Sequence, residues 1–267
     1  MSRIKFKRKY LSIPYFLFLM FFVVVPLLLI IYYALSDESG RISLTNLTKF
    51  FANKNKIGLL SVSILIGALN TALCILIGYP VAMILAKKNR GKNKMSIMIL
   101  LFIMPMWINF VLRTAATRDL LYWIGLDGGS HPYLATMIGM VYNYLPFTIL
   151  PLYTTMLKMD KGLIDASYDL GANKFQTFIK TQIPLSMPGI ISAAMMVFMP
   201  TMSSFVISDV MGERKIQLIG NTIQFNFDQM RWHEGSFIAL IMLVIIGISI
   251  ILTRKVDKEE DARGGIW

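Results

Sequence analysis

Six stretches of this 267-residue chain are apolar, nearly uncharged and close to 20 residues or longer: about Pro14–Leu35, Gly58–Ala86, Met95–Ala116, Tyr133–Leu157, Pro184–Ile207 and Gly235–Thr253. A helix rising 1.5 Å per residue crosses the ~30 Å hydrocarbon core in about 20 residues. Inside that core no water satisfies backbone amides, so only helices or a closed barrel are admissible, and continuous apolar runs select helices. The expectation is an all-α polytopic membrane protein with six transmembrane helices over 14–253. It is flanked by a basic cytoplasmic N-terminal segment, 1–13, and a mixed-charge tail, 254–267, expected to be a frayed, solvated end. The first run is too long for a signal-peptide core and lacks a small-residue cleavage site, so it stays as a helix.

Charge sets the orientation. Charged residues make up only 16% of the chain and hydrophobic ones 55%, whereas soluble domains carry about 25% charged residues. The net charge of +12 does not signal nucleic acid, because the basic residues cluster beside apolar runs. Of 27 Lys and Arg, 18 fall in 1–9, 87–94, 158–182 and 254–267. That bias places both termini and the segment between the fourth and fifth runs on the cytoplasmic side. The basic turn 87–94 (KKNRGKNK) is a topology anchor contacting anionic headgroups.

The cytoplasmic segment has the pattern of a helical hairpin, 160–183. Asp160 can cap a first short helix, along which Leu163, Ala166 and Leu170 recur as one stripe. Gly171 sits where a helix end favours positive φ. Asn173 with Gln176 three residues on forms a capping box for a second helix, whose apolar face is Phe175, Phe178 and Ile179. Pro184 and Pro188 mark the start of the fifth run. A polar, amphipathic hairpin held between spans is built to be gripped by something outside the membrane.

Nine of ten prolines fall inside or at the ends of the runs: Pro14, Pro26, Pro80, Pro105, Pro146, Pro151, Pro184, Pro188 and Pro200. Each interior proline frees a carbonyl that neighbours must satisfy again, which suits a bundle that rocks around an internal pathway. Among the outer segments, 36–57 is a plain polar loop and Leu218–Phe227 is apolar enough to lie in the interface.

Catalytic constellations are missing. The chain has no GxxxxGK[ST] phosphate loop, no HExxH, and no carboxylate pair within a run. His131 and His233 fall in outer segments and are expected to be exposed loop residues, not metal ligands. The one cysteine, Cys74, lies in an apolar run and excludes an internal disulfide. No catalytic, metal or cofactor site is expected, and energy for any motion must come from another subunit.

At the hairpin the chain resembles the inner-membrane permease subunits of ABC importers, whose signature runs Glu-Ala-Ala, three residues, Gly, nine residues, Ile, one residue, Leu-Pro. Here Asp165-Ala166-Ser167 stands for the first triplet and Gly171 matches; Thr181 replaces the Ile and Ile183-Pro184 the Leu-Pro. The resemblance implies the type I importer permease fold, with the hairpin as a cytoplasmic coupling helix. It also implies that Asp165, Ala166, Ser167, Leu170, Gly171, Phe175 and Phe178 form the contact with an ATPase subunit. Further strings are similar to the same family: Asn70-Thr71, Gly78-Tyr79-Pro80-Val81-Ala82, and Met104-Pro105-Met106-Trp107 with Arg113 beyond. Leu145-Pro146-Phe147, Pro151-Leu152-Tyr153, Met199-Pro200, Ser208-Asp209 and Ile219-Gly220-Asn221 resemble the B-type permeases of spermidine/putrescine importers.

The resemblance therefore implies uptake of polyamines in the bacterial plasma membrane. The partners it implies are a second homologous permease, two copies of an ATPase that binds ATP and Mg²⁺, and an external substrate-binding protein. The alternatives are a permease for another small solute (iron, thiamine or an anion) and a passive channel, which would require a legible ring of like charges or a carbonyl filter. A polyamine needs oxygens for its ammonium groups and aromatic faces for its methylenes. Candidates for the pathway are Trp107, Asn109, Tyr142, Asn143, Ser203, Ser204 and Asp209. Asp209 is either a pathway group or a solvated helix-end residue. Asn143 is either a pathway group or a hydrogen-bonding link to a neighbouring helix, and Trp107 serves either packing or solute. The outer segments hold eight acids against nine basic residues when Arg113, near the end of the third run, is counted with them, so no strong steering field is expected.

Overall fold

The computed structural model describes residues 12–89 and 97–264, and every described regular element is helical apart from one isolated bridge between Ser36 and Ile42. Most of the basic N-terminal segment and most of the 87–94 turn lie outside the described residues. Four helices are long and apolar enough to cross a membrane, and six spans result if each of two sharply bent helix pairs is one span.

The unbroken spans are α1 (Ile13–Ala34), α3 (Lys54–Asn89), α6 (Pro132–Lys158) and the apolar part of α12 (Trp232–Gly264). The run expected over Met95–Ala116 is not one helix. It is α4 (Ile97–Ile103) with a 3₁₀ turn over Met104–Trp107, then α5 (Phe110–Trp123), bent by 98°. The hairpin consists of α7 (Lys161–Asp169) and α8 (Lys174–Leu185). A 65° bend at Ser186 leads into α9 (Met187–Met202), followed after two residues by α10 (Phe205–Met211) and then α11 (Ile219–Asp228). The fifth run thus breaks at Ser203–Ser204 instead of continuing to Ile207. The tail is not a frayed end in backbone terms, since α12 remains helical through Gly264.

One compact unit combines the chain up to Ile57 with Thr222–Ile245. Its loop 36–57 is not a plain polar loop. It carries α2 (Thr45–Ala52), in which buried Phe50 meets Phe237 at 5.9 Å between ring centres. Buried Asn46 donates to the carbonyls of Ala34 (3.2 Å) and Ser36 (3.1 Å). His233, expected in an exposed loop, is half-buried near the start of α12. Its Nδ1 lies 3.1 Å from the Tyr33 carbonyl and 3.2 Å from Ser36 Oγ, and its ring meets Tyr33 edge-on.

The second unit, Gly58–Asn221 with Ile246–Trp267, holds the hairpin and both bends. Small residues let its helices approach. A β-carbon on Gly189 of α9 would lie 2.7 Å from Thr155 Oγ1 of α6, and one on Gly78 of α3 would lie 2.9 Å from Thr148 Cγ2. One core gathers Cys74, Met140, Val197 and Met211, and another gathers Leu85, Ile99, Leu152 and Ala193. Asn70 on α3 donates to Thr201 on α9 at 2.8 Å, a buried polar link between two spans. Leu218 and Ile219, expected to lie in the membrane interface, are fully buried in protein.

Candidate functional site: the hairpin and the broken third span

The hairpin is capped at each turn, as its sequence requires. Asp160 Oδ1 accepts from Gly162 N at 2.8 Å and starts α7. Gly171 ends it at φ +83°, a conformation that costs a side chain but not glycine. Asn173 and Gln176 exchange side-chain-to-backbone bonds of 2.9 and 3.0 Å across the start of α8. Ser167 Oγ and Thr177 Oγ1, 3.1 Å apart, tie one arm to the other.

Of the seven coupling candidates, Ser167 and Phe178 face into the chain. Phe178 meets the Tyr79 ring of α3 edge-on at 5.7 Å, while Tyr79 Oη bonds Ser186 Oγ at 2.9 Å, so the hairpin is anchored where α8 bends into α9. Asp165, Ala166, Leu170, Gly171 and Phe175 are exposed, Leu170 at 89% and Phe175 at 71%. The stripe Leu163–Ala166–Leu170 is therefore a free surface; α7 turns Ile164 and Ser167 inward instead. Beside it, a cavity of about 740 Å³ opens between Tyr79, Lys87, Met156, Lys161, Asp165 and Lys174.

The pathway candidates form two groups. Tyr142 and Asn143 contact Arg113, a residue of the third run that is not itself a pathway candidate, while Trp107 and Asn109 lie in the turn and the cap between Arg113 and its other contact, Pro105. Trp107 stands 79% exposed in the 3₁₀ turn. Asn109 is the N-cap of α5: its Oδ1 accepts from Val111 N (2.9 Å) and Leu112 N (3.3 Å) and is committed to holding the break. Asn143 is fully buried. Its Oδ1 accepts from Arg113 Nε at 2.7 Å, and its Nδ2 donates to Gly139 O at 2.8 Å and to Thr114 Oγ1 at 3.3 Å. Asn143 on α6 thus hydrogen-bonds two residues of α5. Tyr142 is 43% exposed, and the Arg113 guanidinium carbon lies 5.8 Å from its ring centre.

Ser203, Ser204 and Asp209 belong to the second group, at the α9–α10 break. A β-carbon on Gly220 would lie 2.5 Å from the Ser203 carbonyl oxygen, so only glycine lets α11 seat there. Asn221, also without an assigned role in the sequence reading, organises the group. Its Nδ2 donates to Asp209 Oδ1 at 2.6 Å, and its Oδ1 accepts from Leu218 N (2.8 Å) and Ser208 Oγ (2.9 Å). Ser203 is exposed and Ser204 buried. Asp209 is thus half-buried and paired, not a freely solvated end group. Among the described residues no cluster of His, Cys, Asp and Glu suits a metal ion.

Residues 9–258 match the family described as binding-protein-dependent transport system inner membrane component. The chain is 33% identical to the spermidine/putrescine transport system permease protein PotB of Haemophilus influenzae, over 91% of this chain and 94% of that one. It is 35% identical to PotB of Escherichia coli K12, over 73% of this chain and 81% of that one. Among solved structures, a chain of a bacterial alginate ABC transporter in complex with an alginate pentasaccharide-bound periplasmic protein superposes with a TM-score of 0.69. That match covers 94% of this chain and 93% of that one at 11% identity, and so speaks to fold alone. The architecture is the type I permease fold, and the protein is a multi-pass component of the inner membrane. With the match running across nearly all its length, the chain belongs to the family of binding-protein-dependent transport system inner membrane components.

Proposed function

We propose that this chain is a permease subunit of an ATP-driven importer and forms, with a second homologous permease, the membrane pathway for spermidine or putrescine. Support for the solute comes from identities of 33–35% to PotB proteins over most of the chain. The observation that carries the coupling is the hairpin tip. Leu170 and Phe175, 89% and 71% exposed, flank a glycine at φ +83° on arms pinned by two caps and by Phe178 against Tyr79. A rigid apolar knob of this kind has the composition of an interface anchor. In this reading it docks on one of two ATPase subunits, which bind ATP and Mg²⁺; the permease binds neither. Both termini and the hairpin are cytoplasmic, and an external binding protein delivers the solute to the opposite face.

Nucleotide shifts the bundle between inward and outward forms only if the contacts of the knob differ between those forms. ATP-driven closure of the ATPases draws the two hairpins together and opens the bundle outward; hydrolysis resets it. Along the pathway, the exposed rings of Trp107 and Tyr142 offer faces for methylenes, while Ser203 and Asp209 offer oxygens to ammonium groups. The test is uptake of radiolabelled spermidine and putrescine by the complete complex in proteoliposomes with internal ATP. Saturable, binding-protein-dependent uptake of either amine is the expected result. Uptake of iron, thiamine or an anion in its place would overturn the solute, and uptake without ATP would overturn the coupling.

A further inference from the structure

Arg113 is 6% exposed inside a membrane span, and every group it bonds is neutral. The salt bridges among the described residues join Lys56 to Glu234 and Arg118 to Asp119, leaving this guanidinium without a carboxylate. A buried cation in an apolar medium is costly to hold, so its position calls for a compensating role. Its three contacts show where that role lies. Nη1 donates to the carbonyl of Pro105 at 2.8 Å, on the near side of the 98° bend; Arg113 itself stands on α5, on the far side. Nε donates to Asn143 Oδ1 at 2.7 Å, on the neighbouring helix α6, with Nη2 at 3.4 Å from the Asn143 carbonyl.

We propose that Arg113 is the positioning residue that fixes the angle of the broken third span, through the planar fork of its guanidinium bridging Pro105 and Asn143. The surrounding groups fit that role. Ile108 is extended, at φ −77° and ψ 140°, and Asn109 caps α5, so the break is a built corner with a second half that starts independently. Asn143 cannot swing away, because its amide nitrogen is held by Gly139 O and Thr114 Oγ1. The Pro105 carbonyl already accepts from Ile108 N at 3.2 Å, and Arg113 supplies the second bond across the corner. The fork matters more than the charge: a lysine ammonium is a point donor on a flexible stem and does not hold two acceptors in a fixed plane.

The corner carries Trp107, so its angle decides where that ring stands. The inference holds whichever solute is carried, since the angle is a property of this chain. The test uses the full complex in nanodiscs, with spin labels at the exposed positions Leu101→Cys and Leu120→Cys, one on each half of the span, in a Cys74→Ala background. Arg113→Lys keeps the charge and loses the fork. Arg113→Met with Asn143→Leu removes the charge together with the amide it would orphan, and guards against a variant that simply fails to assemble. For both, the expected result is assembly with the ATPase, a label-to-label distance distribution at least about twofold wider than wild type, and uptake reduced about tenfold or more. A distribution of wild-type width in either assembled variant overturns the proposal. So does near-normal uptake by Arg113→Lys, which would assign the role to the charge. Because the distance is measured without transport, loss of the solute assignment would leave this result standing.

Discussion

Replacing Gly171 separates what the hairpin needs for itself from what it needs for a partner. A β-carbon built on Gly171 meets nothing within 4 Å, so no side chain there clashes with this chain. The intramolecular cost is conformational only. At φ +83°, an ordinary L-residue pays about 1–2 kcal/mol, and asparagine, which tolerates the left-handed region, pays less. That penalty falls on one turn between two capped helices whose arms are held by Ser167–Thr177 and Phe178–Tyr79, and it is too small to undo the fold. Gly171→Asn and Gly171→Phe should therefore insert and fold like the parent, with similar melting in detergent. The bulk of phenylalanine, set between exposed Leu170 and Phe175, should instead prevent close approach of the ATPase. Transport by Gly171→Phe is expected to be abolished and by Gly171→Asn reduced only several-fold, measured as ATP-driven uptake in vesicles alongside ATPase co-purification. Normal uptake by Gly171→Phe would refute the docking argument. Loss of folding in Gly171→Asn would refute the strain estimate.

Four further outcomes follow from particular contacts. Asn173→Ala removes one half of the reciprocal cap on α8 and should cost about 1 kcal/mol, read as roughly fivefold faster amide exchange at Gln176. Gly189→Val forces atoms into the 2.7–3.3 Å shell of Thr155 and Pro151, an overpacking cost of about 1–3 kcal/mol; an unchanged melting temperature would contradict the close approach of α9 to α6. Asn221→Ala takes from Asp209 its 2.6 Å donor and from Leu218 N its acceptor, so limited proteolysis should cleave the 212–218 segment faster while the hairpin is unaffected. The Asp127 carboxyl is nudged upward by burial, but donation from Ser130 and nearby backbone N–H groups outweighs this and holds it below its ordinary value. A depressed folded value means that the turn is supported above the ordinary carboxylate value and loosens as pH falls through the lower one. Ser130 amide protection should therefore persist at neutral pH and fade only as pH falls below the ordinary carboxylate range, and Asp127→Asn should lack that transition.

The hairpin was legible in the sequence because its signals are local: caps, a glycine at a helix end and phenylalanines at helical spacing all act within four residues. The direction its stripe faces was not. Leu163, Ala166 and Leu170 have the spacing of a buried face, yet Ile164 and Ser167 are the residues turned inward, because Thr177 on the other arm decides which side of α7 is covered. Loop 36–57 was misjudged for a related reason, since the burial of Asn46 and Phe50 depends on Ala34, Ser36 and Phe237.

The prolines sharpen the point. Pro80, Pro146, Pro151 and Pro200 lie inside helices that continue past them, whereas Pro105 sits at a 98° corner and Pro184 and Pro188 flank a 65° one. Proline frees hydrogen-bonding groups at all of these positions, so proline alone does not choose where a span breaks. What distinguishes the two corners is a distant side chain. Arg113 reaches the Pro105 carbonyl, and Tyr79, 107 residues away in sequence, bonds Ser186. Irregular backbone in a span is tolerated where it is buried in protein, and both groups here are polar residues inside apolar runs. Nearness in sequence is not the signal, since Tyr79, Tyr144 and Tyr153 stand beside Pro80, Pro146 and Pro151 in helices that continue; each corner instead has a polar group that reaches it in space, Arg113 at Pro105 and Tyr79 at Ser186.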